Sequence, residues 1–404
     1  MIKNRMCVSI FFYKRGDGIM ARYYWNIASL RKELDKLRKM AEREKDLEKK
    51  AAIEYAYDVA NNDIFNSYVA PERNISRSAK MVSNYSSFLA DQRFFYLIEP
   101  FTNAFEDNLR LYNTTMNNLN IVDTAIERAA SVHVGREQAI SICRDFYRDL
   151  DEEFYQCFLP FYNKRFNHLQ FVKKINEYGG TVTRGNQFFI YGVNESFVNI
   201  LGTDNPSMFI TLIHEAAHVV DNNFKPEAVL YDTYFTEVIS LFMELAALDA
   251  KVGNFKNVFY YNYLMDRINT MYNYANDTVE YDLLMGFYKR NEYTLDKGFY
   301  QLAREEEGIS KERANTLLFE DGYSDMVYPI CVSLALYFYN IYRSDKRKGL
   351  EELKKFLNTL DRDKYIPLMR SKELGQVVSG ELKNLFRTAN TVFCKEQQTL
   401  RKKV

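Results

Sequence analysis

Apolar residues recur along most of the chain at the three- and four-residue spacing of an α-helix. Ile27, Leu30, Leu34, Leu37 and Ala41 form one such seam. It lies in a segment that predicts a long helix from Ile27 to about Asn62, one arm of a helical hairpin. Glu42–Lys50 is a dense mixed-charge run, read as a solvated face supported by i,i+4 pairs. Pro71 breaks the pattern. A second amphipathic segment covers residues 76–111 with an interruption at Pro100, and the Asn- and Thr-rich stretch Asn113–Asn120 predicts a turn. Arg136–Tyr162 predicts one helix, whose wide apolar face includes Ala139, Ile140, Cys143, Phe146, Leu150 and Phe154.

The period then changes. Gly179–Gly185 is turn-rich, and Phe188–Val193 and Ser196–Leu201 predict two short strands separated by Asn194 and Glu195. Gly202–Ser207 supplies capping residues for a helix that opens on the apolar run Met208–Ile213. Tyr234–Asp249 is apolar almost all round and predicts a buried helix. Between these two helices, Asp221–Pro226 reads as a polar loop. The rest is helical and rich in tyrosine, with a further buried helix predicted from Ile330 to Tyr342. The pattern divides the 404 residues into an extension (1–19), a helical N-terminal region (20–133) and a larger C-terminal domain (134–404). The fold class expected is mainly α, with a small β-sheet beside one buried helix.

Composition sharpens this picture in three places. Only 16 glycines and 7 prolines agree with a mostly helical chain. Lysines and arginines (54) balance aspartates and glutamates (54), so no electrostatic case exists for nucleic acid. Five scattered cysteines without a C-x-x-C pair read as reduced thiols, which together with the N-terminus predicts a cytoplasmic protein. In that N-terminus Met6–Tyr13 is short for a signal peptide and runs into Lys14–Gly18 rather than a small-residue cleavage site. No stretch is long and apolar enough to span a membrane, and no obligate protein partner is evident.

The chemistry is concentrated at His214-Glu215-Ala216-Ala217-His218. Residues four apart share a helix face, so His214 and His218 can present imidazoles to one metal ion, and Glu215 can reach a water on that ion. Zinc is the metal expected, at one ion per chain, and a catalytic zinc needs a third protein ligand. The other histidines, His133 and His168, lie far upstream, so the third ligand should be acidic. Asp221 and Glu227 fall in or near the polar loop, whereas Glu237 and Glu244 lie seven apart in an apolar segment, where a carboxylate is costly unless paired or metal-bound. Glu237 is therefore assigned as third ligand and Glu244 as the group that orients a ligand. Two core histidines at helical spacing by chance, or a solvated stripe of glutamates, are the bland alternatives.

H-E-x-x-H followed by Phe235-Thr236-Glu237-Val238-Ile239-Ser240 and Met243-Glu244 resembles the thimet oligopeptidase and oligoendopeptidase F family of zinc metallopeptidases, of the gluzincin type. The resemblance covers roughly residues 137–375. It implies a helical, bowl-like catalytic domain around a deep cleft, Glu237 as zinc ligand and hydrolysis of short peptides. It also implies that an edge strand before the zinc helix, here Phe197, Val198, Asn199, Ile200 and Leu201, binds substrate backbone. Tyr328, or else Tyr323, matches the tyrosine whose hydroxyl stabilises the oxyanion. The chain departs from the family in carrying Asp221 three residues past the motif and in having no histidine after His218. Those departures motivate one rival, a catalytically weak zinc protein that binds peptides. A second rival is a scaffold whose N-terminal helices hold a partner. A base at Glu215 is superfluous to either.

Overall fold

The structure, a computed structural model, describes residues 27–45, 93–120, 133–172, 185–190, 195–202, 207–231, 234–250, 267–276 and 322–401, with a few isolated positions between them. The described residues are mainly α-helical, as the periodicity predicts. Helix α1 (Ile27–Arg43) buries Leu34, Leu37 and Ala41. It ends at Arg43; the rest of the predicted span to Asn62 lies outside the described residues, apart from Glu44 and Lys45, which are not helical, and Lys50, Ile53 and Tyr57, which are.

Helix α2 (Arg93–Asn120) passes through Pro100 and through the predicted Asn113–Asn120 turn. The polar residues that suggested a turn are satisfied inside the helix. Thr114 and Thr115 donate to the carbonyls of Arg110 and Leu111, one turn back, each at 2.9 Å. The predicted helix 136–162 is two helices, α3 (Arg136–Leu150) and α4 (Glu152–His168). Asp151 separates them in an extended conformation, and its carboxylate caps α4 by accepting from the amides of Glu153 and Phe154.

Strand β1 (Leu169–Val172) follows α4 directly; β2 (Gly185–Ile190) and β3 (Glu195–Leu201) come next. The order is β1-β3-β2, with β3 parallel to β1 and antiparallel to β2. Both sides of β3 are thus paired: Val198 faces Leu169 on one side and Gln187 on the other. The strand expected at the edge is the centre of the sheet. Phe197, Val198 and Ile200 are fully buried.

Helix α5 (Ser207–Phe224) carries the histidine pair, followed by α6 (Pro226–Tyr231) and α7 (Val238–Ala250). Helix α8 (Gly322–Ser344) begins eight residues before the predicted start and includes Pro329. Helix α9 (Lys346–Leu357), a 3₁₀ turn (Arg362–Tyr365), α10 (Ile366–Met369) and α11 (Lys372–Arg401) complete the described chain. Helix α5 packs against α3, α4 and the sheet on one side and α7 on the other; α7 packs in turn on α8, and α8 on α9, α11 and α2. One buried apolar cluster runs from Leu97 in α2 through all these layers to Phe393 in α11. Helices α2 and α11 run parallel, with Asn108 donating to Ser379, Thr115 to the Phe386 carbonyl and Asn118 to Asn390.

Candidate metal centre

Helix α5 is fixed before it offers any ligand. Its residues Met208, Phe209, Leu212, Ile213, Ala216, Ala217, Val219 and Val220 are buried, so burial alone selects its rotation about its axis. From α3, the Tyr147 hydroxyl donates to the Ile213 carbonyl at 2.8 Å. At the other end Asp221 forms a two-pronged ion pair with Arg362 of the 3₁₀ turn, at 3.0 and 2.5 Å, with both side chains almost wholly buried. Asp221 lies inside the helix, since α5 continues to Phe224 through most of the predicted loop. Its carboxylate serves as an anchor, which removes it as a ligand candidate. Glu227 is exposed on α6.

On that fixed helix His214 and His218 project together, their ring centroids 5.1 Å apart. Glu237 meets them from the adjoining segment. Its Oε2 lies 3.2 Å from Nε2 of His214 and 3.2 Å from Nε2 of His218, and the three donor atoms all fall within 4.8 Å of one another. Glu237 is not inside a helix, as its apolar neighbours suggested, but caps one: its carbonyl accepts from Leu241, the first bond of α7. Ser240, one turn in, donates to the Glu237 carboxylate at 2.8 Å. The carboxylate therefore sits at a helix N-terminus, where the backbone dipole favours negative charge, and is oriented by a hydroxyl.

The electrostatics follow from this convergence. Burial opposes charge on His214 and His218, but the charge and hydrogen bonds of Glu237, with a contribution from Glu215, outweigh it and raise both imidazole pKa values. Burial would also raise Glu237, yet the two histidines pull its carboxyl well below the usual range. Glu215 is buried and does not join the triad. Desolvation, only partly offset by the histidines, raises its pKa. His214 has a carboxylate on each ring nitrogen, because Nδ1 lies 3.0 Å from Oε1 of Glu244. Glu244 reaches His214 from the interior of α7, not from the same turn as Glu237.

Two imidazole nitrogens and one carboxylate oxygen are the donor set of an open zinc site. In a tetrahedron with bonds of about 2.0–2.1 Å, ligand atoms stand about 3.3 Å apart. The two 3.2 Å separations match that spacing, so the residues fit the ion.

The strand and tyrosine assignments fare differently. Strand β3 holds Phe197–Leu201 in the middle of the sheet, so that strand has no free side for a peptide. Strand β2 is paired on one side only among the described residues, and like β3 it packs on α5. A Cβ at Gly185 would lie 2.6 Å from Thr211 Cγ2 and 2.8 Å from Glu215 Oε1. Half-buried Tyr328 stacks on Tyr274, with ring centroids 5.2 Å apart. Tyr323 falls in α8, and its side chain lies outside the described residues. Sequence reasoning missed Ser240 and Gly185 as participants, and also Arg267, whose guanidinium forms an ion pair with Glu244. The Ser240 spacing from Glu237 could have suggested a capping contact; Arg267 carries no local signal.

No protein-family model matches the chain, and no curated protein does. Solved structures do. One described as an oligoendopeptidase F from Bacillus anthracis str. Ames superposes with a TM-score of 0.52 at 13% identity, over 82% of this chain and 66% of that one. The chain has the oligoendopeptidase F fold. A second structure described as an oligoendopeptidase F aligns over 84% of this chain and 68% of its own, with a TM-score of 0.53 at 11% identity. PZ peptidase A, solved with an inhibitor, aligns over 88% of this chain and 71% of its own, at 12% identity and a TM-score of 0.54. The chain thus spans about two thirds of the length of the proteins whose fold it shares. Among the described residues no helix is long and apolar enough to cross a membrane.

Proposed function

We propose that the chain is a zinc-dependent endopeptidase of short peptides. The observation that carries the reading is the triad of His214, His218 and Glu237, with the Glu237 carboxylate 3.2 Å from each imidazole nitrogen, and a second acidic group, Glu215, buried beside it and outside the ligand set. His214, His218 and Glu237 hold the ion. Zinc, when bound, polarises the scissile carbonyl and lowers the pKa of a water. Glu215 takes the proton of the attacking water and passes it to the leaving amine, and burial, by raising its pKa, brings it nearer the operating pH of a general base. Glu244 holds the His214 ring, and Ser240 holds the Glu237 carboxylate. Tyr328 is the phenol assigned to the developing oxyanion, on the strength of the sequence resemblance.

The substrate in this reading is an extended peptide that adds to the outer edge of β2, which passes against Glu215 at Gly185. Backbone pairing of that kind recognises unstructured chain, so short peptides are cut and folded proteins are not. A cytoplasmic location and action without an obligate partner belong to the same reading. The test is hydrolysis of a mixed peptide library read by mass spectrometry, with and without a zinc chelator. Chelator-sensitive cleavage of short peptides is expected. Tight zinc binding without any cleavage would favour the peptide-binding alternative.

A further inference from the structure

We infer that Arg267 is a positioning residue of the metal centre: it neutralises Glu244 so that Glu244 acts only to orient His214 toward the ion. The inference rests on the zinc reading of the triad. Arg267 lies among the described helical residues 267–276, where Ile268, Met271 and Ala275 are buried. A guanidinium buried on an apolar face is costly unless it is paired. Arg267 is 5% exposed and its partner is Glu244, also 5% exposed, through Nη1 and Oε2. The other oxygen of Glu244 lies 3.0 Å from Nδ1 of His214, whose Nε2 faces Glu237. The result is a chain of contacts from Arg267 through Glu244 and His214 to the centre of the triad.

Charge matching gives this chain its purpose. Glu215 follows His214 on α5, Glu237 at the start of α7 meets both imidazoles, and Glu244 inside α7 meets His214. Three negative charges exceed what one divalent cation offsets. Arg267 cancels the charge of Glu244, which leaves Glu215 and Glu237 to face the ion, two charges against two. Pairing also fixes Glu244 in place. A buried carboxylate with no cation behind it is costly and is driven toward the nearest positive group, which would be the ion or its ligand. A carboxylate so drawn stops orienting His214.

The test is the zinc affinity of the full chain, measured by competition with a chromogenic chelator, in the wild type and in Arg267→Met, Arg267→Lys, Glu244→Gln and the double variant Arg267→Met/Glu244→Gln. Arg267→Met is expected to weaken zinc binding by about 10- to 100-fold, the range seen when outer partners of metal ligands are removed. Arg267→Lys keeps the charge and should retain most of the affinity. The double variant, with neither charge, should bind zinc more tightly than either single variant. Unchanged affinity in Arg267→Met, or a double variant no better than the worse of the two singles, would overturn the inference. Should Arg267→Met not fold, the comparison of Glu244→Gln with the double variant decides by the same rule. A wild type that binds no zinc overturns the metal reading itself, whereas a wild type that binds zinc alongside an indifferent Arg267→Met overturns only the role of Arg267.

Discussion

Gly185→Ala tests whether the sheet edge and Glu215, the proposed base, are closely fitted. The added methyl would sit 2.8 Å from Oε1 of Glu215, 3.0 Å from its Cγ and 2.6 Å from Thr211 Cγ2, where ordinary contact begins at 3.4 Å. The Glu215 carboxylate must therefore retreat by about 0.6 Å to reach ordinary contact. The carboxylate is the free end of a flexible side chain and can move at modest cost, whereas Thr211 Cγ2, the nearer atom, belongs to a short β-branched side chain that yields less readily, so the loss of stability should fall within the roughly 1–3 kcal/mol typical of overpacking. Catalysis is less forgiving, since a misplacement of about 1 Å can cost about 100-fold in rate. The expected result is a kcat lower by roughly 10- to 100-fold, with zinc content intact and a small fall in Tm. Steady-state kinetics on a quenched peptide, metal analysis and a thermal melt read all three. Adding Thr211→Ser removes the methyl on the other side of the contact and should restore part of kcat. Normal kcat in Gly185→Ala would refute the reasoning. So would a defect confined to KM that Thr211→Ser does not relieve, because that pattern belongs to a distorted peptide-binding edge and not to a displaced base.

Other expectations concern single groups. Glu237→Ala should lose zinc on dialysis while its circular dichroism stays native; full retention of metal would mean another acid completes the site. Glu215→Gln should keep zinc and lower kcat by about 10²- to 10⁴-fold, and near-normal turnover would exclude Glu215 as the base. Tyr328→Phe should lower kcat by roughly 100- to 1000-fold with KM little changed; a lower Tm with unchanged kcat would instead make the Tyr274 stack its whole role. Arg362→Met strands the buried Asp221 carboxylate and should destabilise the protein by about 3–5 kcal/mol, read as a large drop in denaturation midpoint. Arg362→Met/Asp221→Asn should recover much of that loss.

The histidine pair was legible because four-residue spacing on a helix is local geometry, settled before any tertiary contact forms. Glu237 was legible for a related reason: a carboxylate in so apolar a setting needs a partner. What failed to show locally was its exact place. The apolar run Tyr234–Asp249 continues past the helix start, so periodicity could not reveal that Glu237 caps α7 and leaves Glu244 alone inside it. Asp221 read as loop because a charged residue followed by two asparagines looks solvated; its partner Arg362 lies 141 residues away. Sheet order is likewise non-local. Ser196–Leu201 was recognisable as a strand, but its central position depends on β1, a four-residue segment issuing from a helix without a turn signal. Pro100 and Pro329 misled in the opposite direction. Each lies within a helix that continues past it into extensive packing.

The parallel pairing of α2 and α11 has a consequence in time. The hydrogen bonds from Asn108 to Ser379 and from Thr115 to Phe386 each bridge 271 residues. At about 5–20 residues per second a ribosome needs roughly 15–50 s to supply the second helix after the first has emerged. Through that interval Phe105, buried in the finished fold, has yet to meet Phe386 of α11. The nascent chain must carry that apolar surface while the segment bearing His214, His218 and Glu237 is still being made, a state prone to aggregation. Shortening the chain within α11 should accordingly harm yield before it harms chemistry.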